Sequence, residues 1–434
     1  LQRRGVRGHV DTMALPATPR QPAAPPAAYR RAHALARKNV LAIFGFTKRH
    51  KGYELALEAM SSLADETALL IAGGPQDEAD ARYLNKRRDP SRPPVEPLYV
   101  EEDVDRAMKR FRTHPYAEAF DVVKGIQATF RDAGHILGSA GVLLERDDGF
   151  RIYFTGDLGR RAYPILRDPE PLPKADVILS ESTYGLRNHQ PIDGAEETLV
   201  AVLDRVQRTR GKVFVPAFSV GRTQNLVFAL AQLRKRKLIP DMPILVDSPL
   251  ARKATAAFVN HPECYDEEVK AFIGEGGDPF HPHGVHYVES RDLSKALNDQ
   301  KGPFVVIAGS GMCEGGRIVH HLLHGIDDDR NVVLFVGWAA PSTLARRIQE
   351  GKKTVRILGR QREVRAKVEH IGAFSAHADR SDLLRFLEPA AAWGSTILLV
   401  HGDVDACHGL AEALRERGHE RVLVPETYAT YPLA

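Results

Sequence analysis

The chain has 434 residues, of which 43% are hydrophobic and 27% charged. This composition is typical of a globular protein with two or three domains and excludes fibrous and extensively disordered proteins. The formal net charge of +4 originates in the first sixty residues, while the remainder is slightly acidic. A nucleic-acid site therefore has to be built locally, from helix N-termini and a few Arg and Lys side chains.

Cysteine content and hydropathy bound the cellular setting. The three cysteines, Cys264, Cys313 and Cys407, are too few and too scattered for a disulfide framework or a thiolate zinc site. No stretch approaches the roughly 18 uninterrupted apolar residues of a membrane span, and the N-terminus lacks the apolar core of a signal peptide. We therefore expect a cytoplasmic protein with no membrane partner.

The N-terminal part of the chain, residues 1–76, differs in character from the rest. Residues 1–35 include a Pro- and Ala-rich stretch that predicts disorder. Residues 38–76 then predict a β-α-β segment, with strands at Asn39–Phe44 and Thr67–Ala72 around an amphipathic helix. The sequence of this segment, FGFTKRHKGYELALEAM…LLIAGGP, resembles the start of the nucleotide-binding lobe of a GT-B glycosyltransferase. That resemblance covers about forty residues and implies glycosyl transfer as one alternative function.

From about residue 77 apolar strands alternate with helical patterns, which predicts a layered α/β protein. The strand candidates are Gln127–Phe130, Gly141–Leu144, Arg151–Phe154, Val177–Leu179, Val213–Val215, Ile244–Val246, Val305–Ala308, Val332–Val336 and Thr396–Val400. The helix candidates are residues 195–209, 222–236, 315–325, 341–350 and 380–387.

Five short clusters carry the side chains most capable of chemistry. Four of them directly follow an apolar strand, where α/β proteins build their sites. The five residues are His135 in DAGHILGS, Asp157 in YFTGDLG, Glu181 in LSESTYG, His377 in GAFSAHAD and His401 in LLVHGD. Imidazole nitrogens and a carboxylate that can bridge are ligands that zinc prefers.

The motifs GHILGSA, FTGDLGR, SESTYG, FSAHAD and VHGD, in this order, resemble those of the metallo-β-lactamase fold hydrolases, specifically their β-CASP branch of RNA-cutting enzymes. VPAFSVGRTQ, VDSPLA, AGSGMCEGGR and LFVGW resemble the inserted β-CASP domain, and the match runs over residues 77–430. The resemblance implies an αββα sandwich, here with core residues 77–195 and 359–434, interrupted by an α/β β-CASP domain at residues 196–358.

The resemblance also implies a role for each matched residue. His135 would bind a first zinc, Asp157 would bridge two zinc ions, and His401 would bind the second. His377 would act as the general acid on the departing oxygen, and Glu181 would orient it. Two metals of this kind can activate a water and neutralise charge on a phosphoryl oxygen.

RNA is the partner that the resemblance implies, and a homodimer is a further expectation. Four residues are candidates for contacts with RNA phosphates. Ser375 and Ser310 offer hydroxyl groups, the second of them within a glycine-rich loop, and Arg222 and Arg317 offer positive charge.

One expected motif is missing. Relatives of this kind take most of their metal ligands from an N-terminal His-x-His-x-Asp-His loop, and the only histidines before residue 100 are His9, His33 and His50. The lookalike His281-Pro-His283-Gly-Val-His286 lacks the Asp and is interpreted as an ordinary loop. With three ligands, the chain is expected to hold at most one weakly bound metal.

The sequence therefore leaves two main hypotheses open. The first is a metal-dependent phosphodiester hydrolase that acts on RNA. The second is a β-CASP paralogue that binds RNA as a scaffold and has lost hydrolysis. Hydrolysis of small molecules, as in lactamases or glyoxalases, is a weaker alternative, because the insertion and the SAHAD element indicate a polymeric substrate.

Overall fold

The computed structural model describes residues 39–44, 67–72, 100–189, 193–337, 339–340, 342–426 and 431. The predicted disordered segment, residues 1–35, lies outside these ranges. The chain divides into two units, residues 1–113 and residues 114–434. Within the described ranges, no helix is both long enough and apolar enough to cross a membrane.

The described residues of the first unit form two short strands and a helix. Strands β1 (Asn39–Phe44) and β2 (Thr67–Ala72) pair in parallel, with Asn39 opposite Thr67. Both strands have the bounds expected from the sequence. The residues of the expected helix lie outside the described ranges. Helix α1 follows at Glu101–Met108.

The second unit contains a mixed sheet of seven strands. Its strands are β3 (Ala119–Val123), β4 (Ile126–Asp132), β5 (Ala140–Arg146), β6 (Arg151–Phe154), β7 (Val177–Glu181), β16 (Thr396–Val400) and β17 (Val422–Leu423). The order across the sheet is β17-β16-β7-β6-β5-β4-β3. Strands β3 to β6 pair antiparallel, whereas β6, β7, β16 and β17 run parallel to one another.

Helices cover one face of this sheet. They are α9 (Arg380–Leu387), α10 (Pro389–Trp393) and α11 (Val404–Glu416). Ile178 and Ile397 of the sheet are buried against apolar side chains of these helices, including Leu384 and Leu410. The side chain of Asp379 caps α9 by accepting a hydrogen bond from the backbone N–H of Asp382. That cap, two residues after His377, fixes where the helix starts.

The inserted half contains a second sheet, of six parallel strands. They are β8 (Lys212–Pro216), β9 (Ile244–Val246), β10 (Val285–Tyr287), β11 (Phe304–Ala308), β12 (Val332–Phe335) and β15 (Lys367–His370), in the order β10-β9-β11-β8-β12-β15. A separate hairpin joins β13 (Thr354–Ile357) and β14 (Arg360–Glu363). The helices are α2 (Asp193–Thr209), α3 (Arg222–Lys235), α4 (Pro249–Val259), α5 (Glu267–Gly274), α6 (Arg291–Asp299), α7 (Ile318–Gly325) and α8 (Leu344–Gln349).

Both faces of the six-stranded sheet are buried, which explains its continuous apolar runs. Val213 and Val215 pack on one face, against helices that include α2 and α3, while Phe214 packs on the other face with α7 and α8. Strand β15 pairs with β12, so this sheet continues to His370.

The structure is thus the layered α/β protein that the sequence predicts, with the seven-stranded and six-stranded sheets as the two halves of its second unit.

A histidine and carboxylate cluster at the strand ends

The topology of the seven-stranded sheet brings the candidate residues together. Strands β6, β7 and β16 are parallel neighbours, so their carboxyl ends lie at one edge. Asp157 follows β6, Glu181 ends β7 and His401 follows β16. Strand β4 runs in the same direction, because two antiparallel pairings separate it from β6, and it delivers His135 to the same edge.

Asp157 lies between two histidines. Its Oδ2 is 3.9 Å from Nε2 of His135, and its Oδ1 is 3.3 Å from Nδ1 of His401. Each carboxylate oxygen therefore faces a different imidazole, as a bridging ligand requires. His401 has a φ of 56°, a backbone conformation that is costly for a residue with a Cβ and that is found preferentially at functional sites.

His377 completes the cluster from the loop before α9. Its ring centroid is 4.3 Å from that of His135 and 6.1 Å from that of His401. His135, Asp157 and His377 offer ligand atoms that all lie within 4.8 Å of one another. The structure thus groups the expected general acid with two of the expected metal ligands, His135 and Asp157, while His401 approaches the group through Asp157.

Glu181 is buried beside the cluster and contacts two parts of it, the ring of His377 and the loop that follows Asp157. Its Oε1 lies 3.1 Å from Nδ1 of His377 and accepts a hydrogen bond of 2.6 Å from the backbone N–H of Leu158. The backbone N–H of Glu181 itself donates to Oγ1 of Thr155. This carboxylate therefore ties the loop of Asp157 to the imidazole of His377.

A tight turn positions His135. Oδ1 of Asp132 accepts from the backbone N–H of Gly134 at 2.9 Å, and Oγ of Ser139 accepts from the N–H groups of His135 and Ile136. The polar side chains at both ends of the motif thus satisfy the turn's backbone donors, and this is the local reason for the Asp-x-x-His-x-x-x-Ser spacing.

The histidines of the cluster differ in their affinity for protons. Burial lowers the pKa of His135, and the neighbouring His377 lowers it further. Burial also opposes protonation of His377, but the hydrogen bond and negative charge of Glu181 outweigh it and raise the His377 pKa. Burial opposes ionisation of Glu181, yet its contacts with His377 and neighbouring donors hold its pKa below the usual range. The two shifts favour the neutral form of His135 and the protonated form of His377, which lie side by side.

The donor set fits zinc. A tetrahedral ion with bonds of about 2.0–2.1 Å places its ligand atoms roughly 3.3 Å apart. The separation between His401 and Asp157 is 3.3 Å, and that between His135 and Asp157 is 3.9 Å. The side chain of His401 is 58% exposed, so the cluster is open to solvent on that side.

The four phosphate candidates occupy different settings. Ser375 is buried two residues before His377, and the positive charge of Arg222 lies near enough to disfavour protonation of His377. Ser310 donates to the carbonyl of Gly315 within its own loop. Arg317 is not brought to the cluster, because its guanidinium donates to buried Asp247 and to the backbone carbonyls of Val288 and Glu289.

Sequence reasoning missed three residues beside His377 and His401. The ring nitrogen Nε2 of His189 lies 2.9 Å from the carbonyl oxygen of His377, and the ring of Tyr184 contacts the His189 ring at 4.2 Å. Oγ1 of Thr183 donates to the carbonyl oxygen of His401. All three residues lie within eight positions after Glu181, and this proximity in the sequence is the signal that could have found them.

Comparison with known protein families agrees with this geometry. Residues 223–348 match the β-CASP domain family, and residues 361–425 match the family described as a Zn-dependent metallo-hydrolase RNA specificity domain. Nothing in these matches bears out the resemblance of residues 38–76 to a glycosyltransferase. A parallel β1–β2 pair is common to many α/β folds, so it carries no donor-site specificity.

Characterised relatives cover most of the chain. Ribonuclease TTHA0252 of Thermus thermophilus is 38% identical over 325 residues, which is 75% of this chain and 74% of that protein. Transcription termination factor FttA is 31% identical in Methanosarcina mazei, over 72% of this chain, and in Pyrococcus abyssi, over 74%. The chain spans about half the length of these archaeal relatives, 51% in each case. Together with the strand-end cluster, these relationships establish that the chain belongs to the β-CASP family of metallo-β-lactamase fold hydrolases.

Proposed function

We propose that the chain is a zinc-dependent hydrolase that cleaves single-stranded RNA at the cluster of His135, Asp157, His377 and His401. One observation carries the proposal. Asp157 presents one carboxylate oxygen to each of two histidines, and a third histidine, held by a buried carboxylate, lies beside them. The similarity to a ribonuclease over three quarters of the chain supports RNA as the substrate.

His135, Asp157 and His401 would hold the zinc through imidazole nitrogens and a carboxylate. When bound, zinc would supply Lewis-acid activation of water and of a phosphoryl oxygen. The chain's own residues provide the proton. Because Nδ1 of His377 faces Glu181, His377 would donate from Nε2 to the departing ribose oxygen. Glu181 favours the protonated form of that imidazole and orients it.

Metal content is the test. Protein purified without added zinc should contain about one equivalent per chain by mass spectrometry, and Asp157→Ala should lose it because both histidines then lack their shared carboxylate. His286→Ala is the matched control, since His286 is an exposed histidine on β10, outside the cluster. Cleavage of single-stranded RNA should disappear with a chelator and return with zinc. Zinc-free protein that is unchanged by the Asp157 substitution would contradict the proposal.

A second candidate function is RNA binding without hydrolysis. The observation that favours it is the lack of a His-x-His-x-Asp-His motif in the sequence, which limits the number of ligands. Under this alternative, RNA binding would be salt-sensitive and unaffected by chelator. Chelator-sensitive cleavage would exclude it.

The number of zinc ions, the homodimer and the cytoplasmic location stay predictions. Light scattering of the purified chain measures the dimer directly.

A further inference from the structure

An exposed aromatic ring lies in the loop between β8 and α3. Phe218 is 46% exposed, although its backbone is firmly held. The carbonyl of Phe218 accepts hydrogen bonds from the backbone N–H and the hydroxyl of Thr223, at 3.2 and 2.8 Å. The next residue, Ser219, contacts Ser248 through their hydroxyls at 3.0 Å. The loop thus holds a large apolar side chain towards solvent from an ordered backbone.

The ring borders a narrow cleft. Phe218 lines it with Arg222, Gly311, Val336 and Gly337. A Cβ at residue 311 would lie 3.3–3.5 Å from three atoms of the ring, so the absence of a side chain there keeps the ring clear. The cleft has a volume of about 10 Å³, room for about one water molecule. A planar ligand can therefore lie over the exposed ring but cannot enter the cleft.

This rim leads to the histidine cluster. A Cβ added at Gly221 would lie 3.2 Å from the side chain of Ile136, which adjoins His135. Arg222 lines the cleft beside Phe218, and one of its amino groups donates to the carbonyl of Val336. The loop from Phe218 to Arg222 thus spans from the exposed ring to the neighbourhood of the metal ligands.

We propose that Phe218 is a stacking platform for an unpaired base of the RNA next to the scissile phosphate, with Arg222 beside it to attract the backbone. This inference rests on the proposed function and names a positioning residue for it. A base has an apolar face of the same kind as the ring, and stacking of this type tolerates any base. Bases within a duplex present no free face, so the platform selects single-stranded RNA.

Binding by a short single-stranded RNA tests the platform in the full-length chain. Base stacking contributes about 1–3 kcal/mol, so Phe218→Ala should weaken binding by about 5-fold to about 150-fold in fluorescence anisotropy. Phe218→Trp should retain binding, and Phe218→Leu should lose most of it. The matched control is Leu293→Ala, which removes a 60% exposed apolar side chain from α6 of the same half. The salt dependence should not change in Phe218→Ala, because no phosphate contact is lost.

A base analogue locates the contact. RNAs that carry 2-aminopurine at single positions around the cleavage site should show quenched fluorescence at one position, and Phe218→Ala should abolish that quenching. An RNA without a base at this position should bind the original chain as weakly as Phe218→Ala binds intact RNA. Combining the abasic RNA with Phe218→Ala should weaken binding no more than either change does alone.

The outcomes distinguish a failure of the stacking platform from a failure of the proposed function. If the chain cleaves RNA while Phe218→Ala binds like the Leu293→Ala control, the platform is wrong and the proposed function stands. If the chain binds no RNA, both are wrong. If duplex RNA loses affinity as much as single-stranded RNA in Phe218→Ala, the ring is not a stacking surface for an unpaired base.

Discussion

Glu181 holds His377 through a contact of 3.1 Å between Oε1 and Nδ1, and it does so from a position that is 1% exposed. The same oxygen accepts from the backbone N–H of Leu158, the residue after Asp157. A single buried carboxylate therefore sets both the protonation of His377 and the position of a metal-ligand loop. Partners of this kind typically change activity or metal affinity by about 10–100-fold when removed.

Glu181→Gln tests this link. The substitution keeps the shape of the side chain but removes the charge that raises the pKa of His377. We expect kcat for RNA cleavage to fall by about 10–100-fold. Because His377 must be protonated to act as the acid, the alkaline limb of the pH profile should move to lower pH. An unchanged alkaline limb would show that His377 is not the acid.

The chain offers a matched control for this substitution. Glu263 and His261 form a similar pair, with Oε1 and Nδ1 2.7 Å apart, but the pair is exposed in the inserted half. Glu263→Gln should leave both kcat and the pH profile unaffected.

The strand ends made most of the cluster predictable. Asp157, Glu181 and His401 each lie at or just after the end of an apolar run, and parallel neighbours place such positions at one edge. Strands β6, β9 and β16 match the predicted bounds, as does helix α9. The ends of apolar runs and the bounds of strands and helices are local features of the sequence, so they can be predicted without knowledge of the fold.

Other features depend on long-range contacts that a local pattern does not contain. Arg317 looks like a phosphate ligand in its glycine-rich loop, but the fold commits it to Asp247, 70 residues away. Strand β15 is half exposed and mostly polar, so neither its existence nor its place beside β12 was evident. His189 contacts His377 only because the chain returns 188 residues later.

The network around Asp247 should dominate the acid stability of the inserted half. Its carboxylate is fully buried and contacts Nε2 of His321 at 2.7 Å, Oγ of Ser294 at 2.6 Å and the guanidinium of Arg317. Burial opposes ionisation, yet these three donors hold the pKa of Asp247 below its usual range. A depressed pKa contributes stability above the unfolded pKa of about 3.9, and that contribution is lost as pH falls below it.

Asp247→Asn removes this charge. We expect about 3–5 kcal/mol less stability near neutral pH, because Arg317 then lacks its buried partner. The loss should begin to shrink as the pH falls below about 4, because the carboxylate of the unfolded chain then takes up a proton that folded Asp247, with its lowered pKa, does not. Urea unfolding at pH 7, 5 and 3.5 measures this convergence. Asp292→Asn is the control, since its side chain is 94% exposed, and it should differ little at any pH.

Substitution of the two arginines predicted to contact RNA should affect different properties: RNA binding for Arg222 and stability for Arg317. Arg222 lines the cleft at Phe218, so Arg222→Ala should weaken RNA binding and reduce the slope of log affinity against log salt by about one. Arg222→Lys should keep that slope. Arg317→Ala should instead lower the free energy of unfolding, because it breaks the contact with Asp247. Equal changes of salt slope in both alanine variants would contradict this assignment.

Gly159 is a position where any side chain should disturb the metal ligands. Its backbone N–H donates to the carbonyl of Ala133 at 2.7 Å, and a Cβ would lie 2.0 Å from the carbonyl oxygen of Gly134. The clash is with backbone, which cannot rotate away, so Gly159→Ala must move the turn that carries His135. We expect a loss of about 1–3 kcal/mol in stability together with loss of zinc.

The control for Gly159→Ala is Gly194→Ala, at a helix position where a Cβ would meet nothing within 4 Å. Alanine favours helix over glycine by about 1 kcal/mol, so Gly194→Ala should be neutral or stabilising and should keep its zinc. Thermal unfolding and metal content measured on both variants test the two expectations together. If Gly159→Ala unfolds earlier but keeps its zinc, the turn at His135 supports the fold without holding the metal.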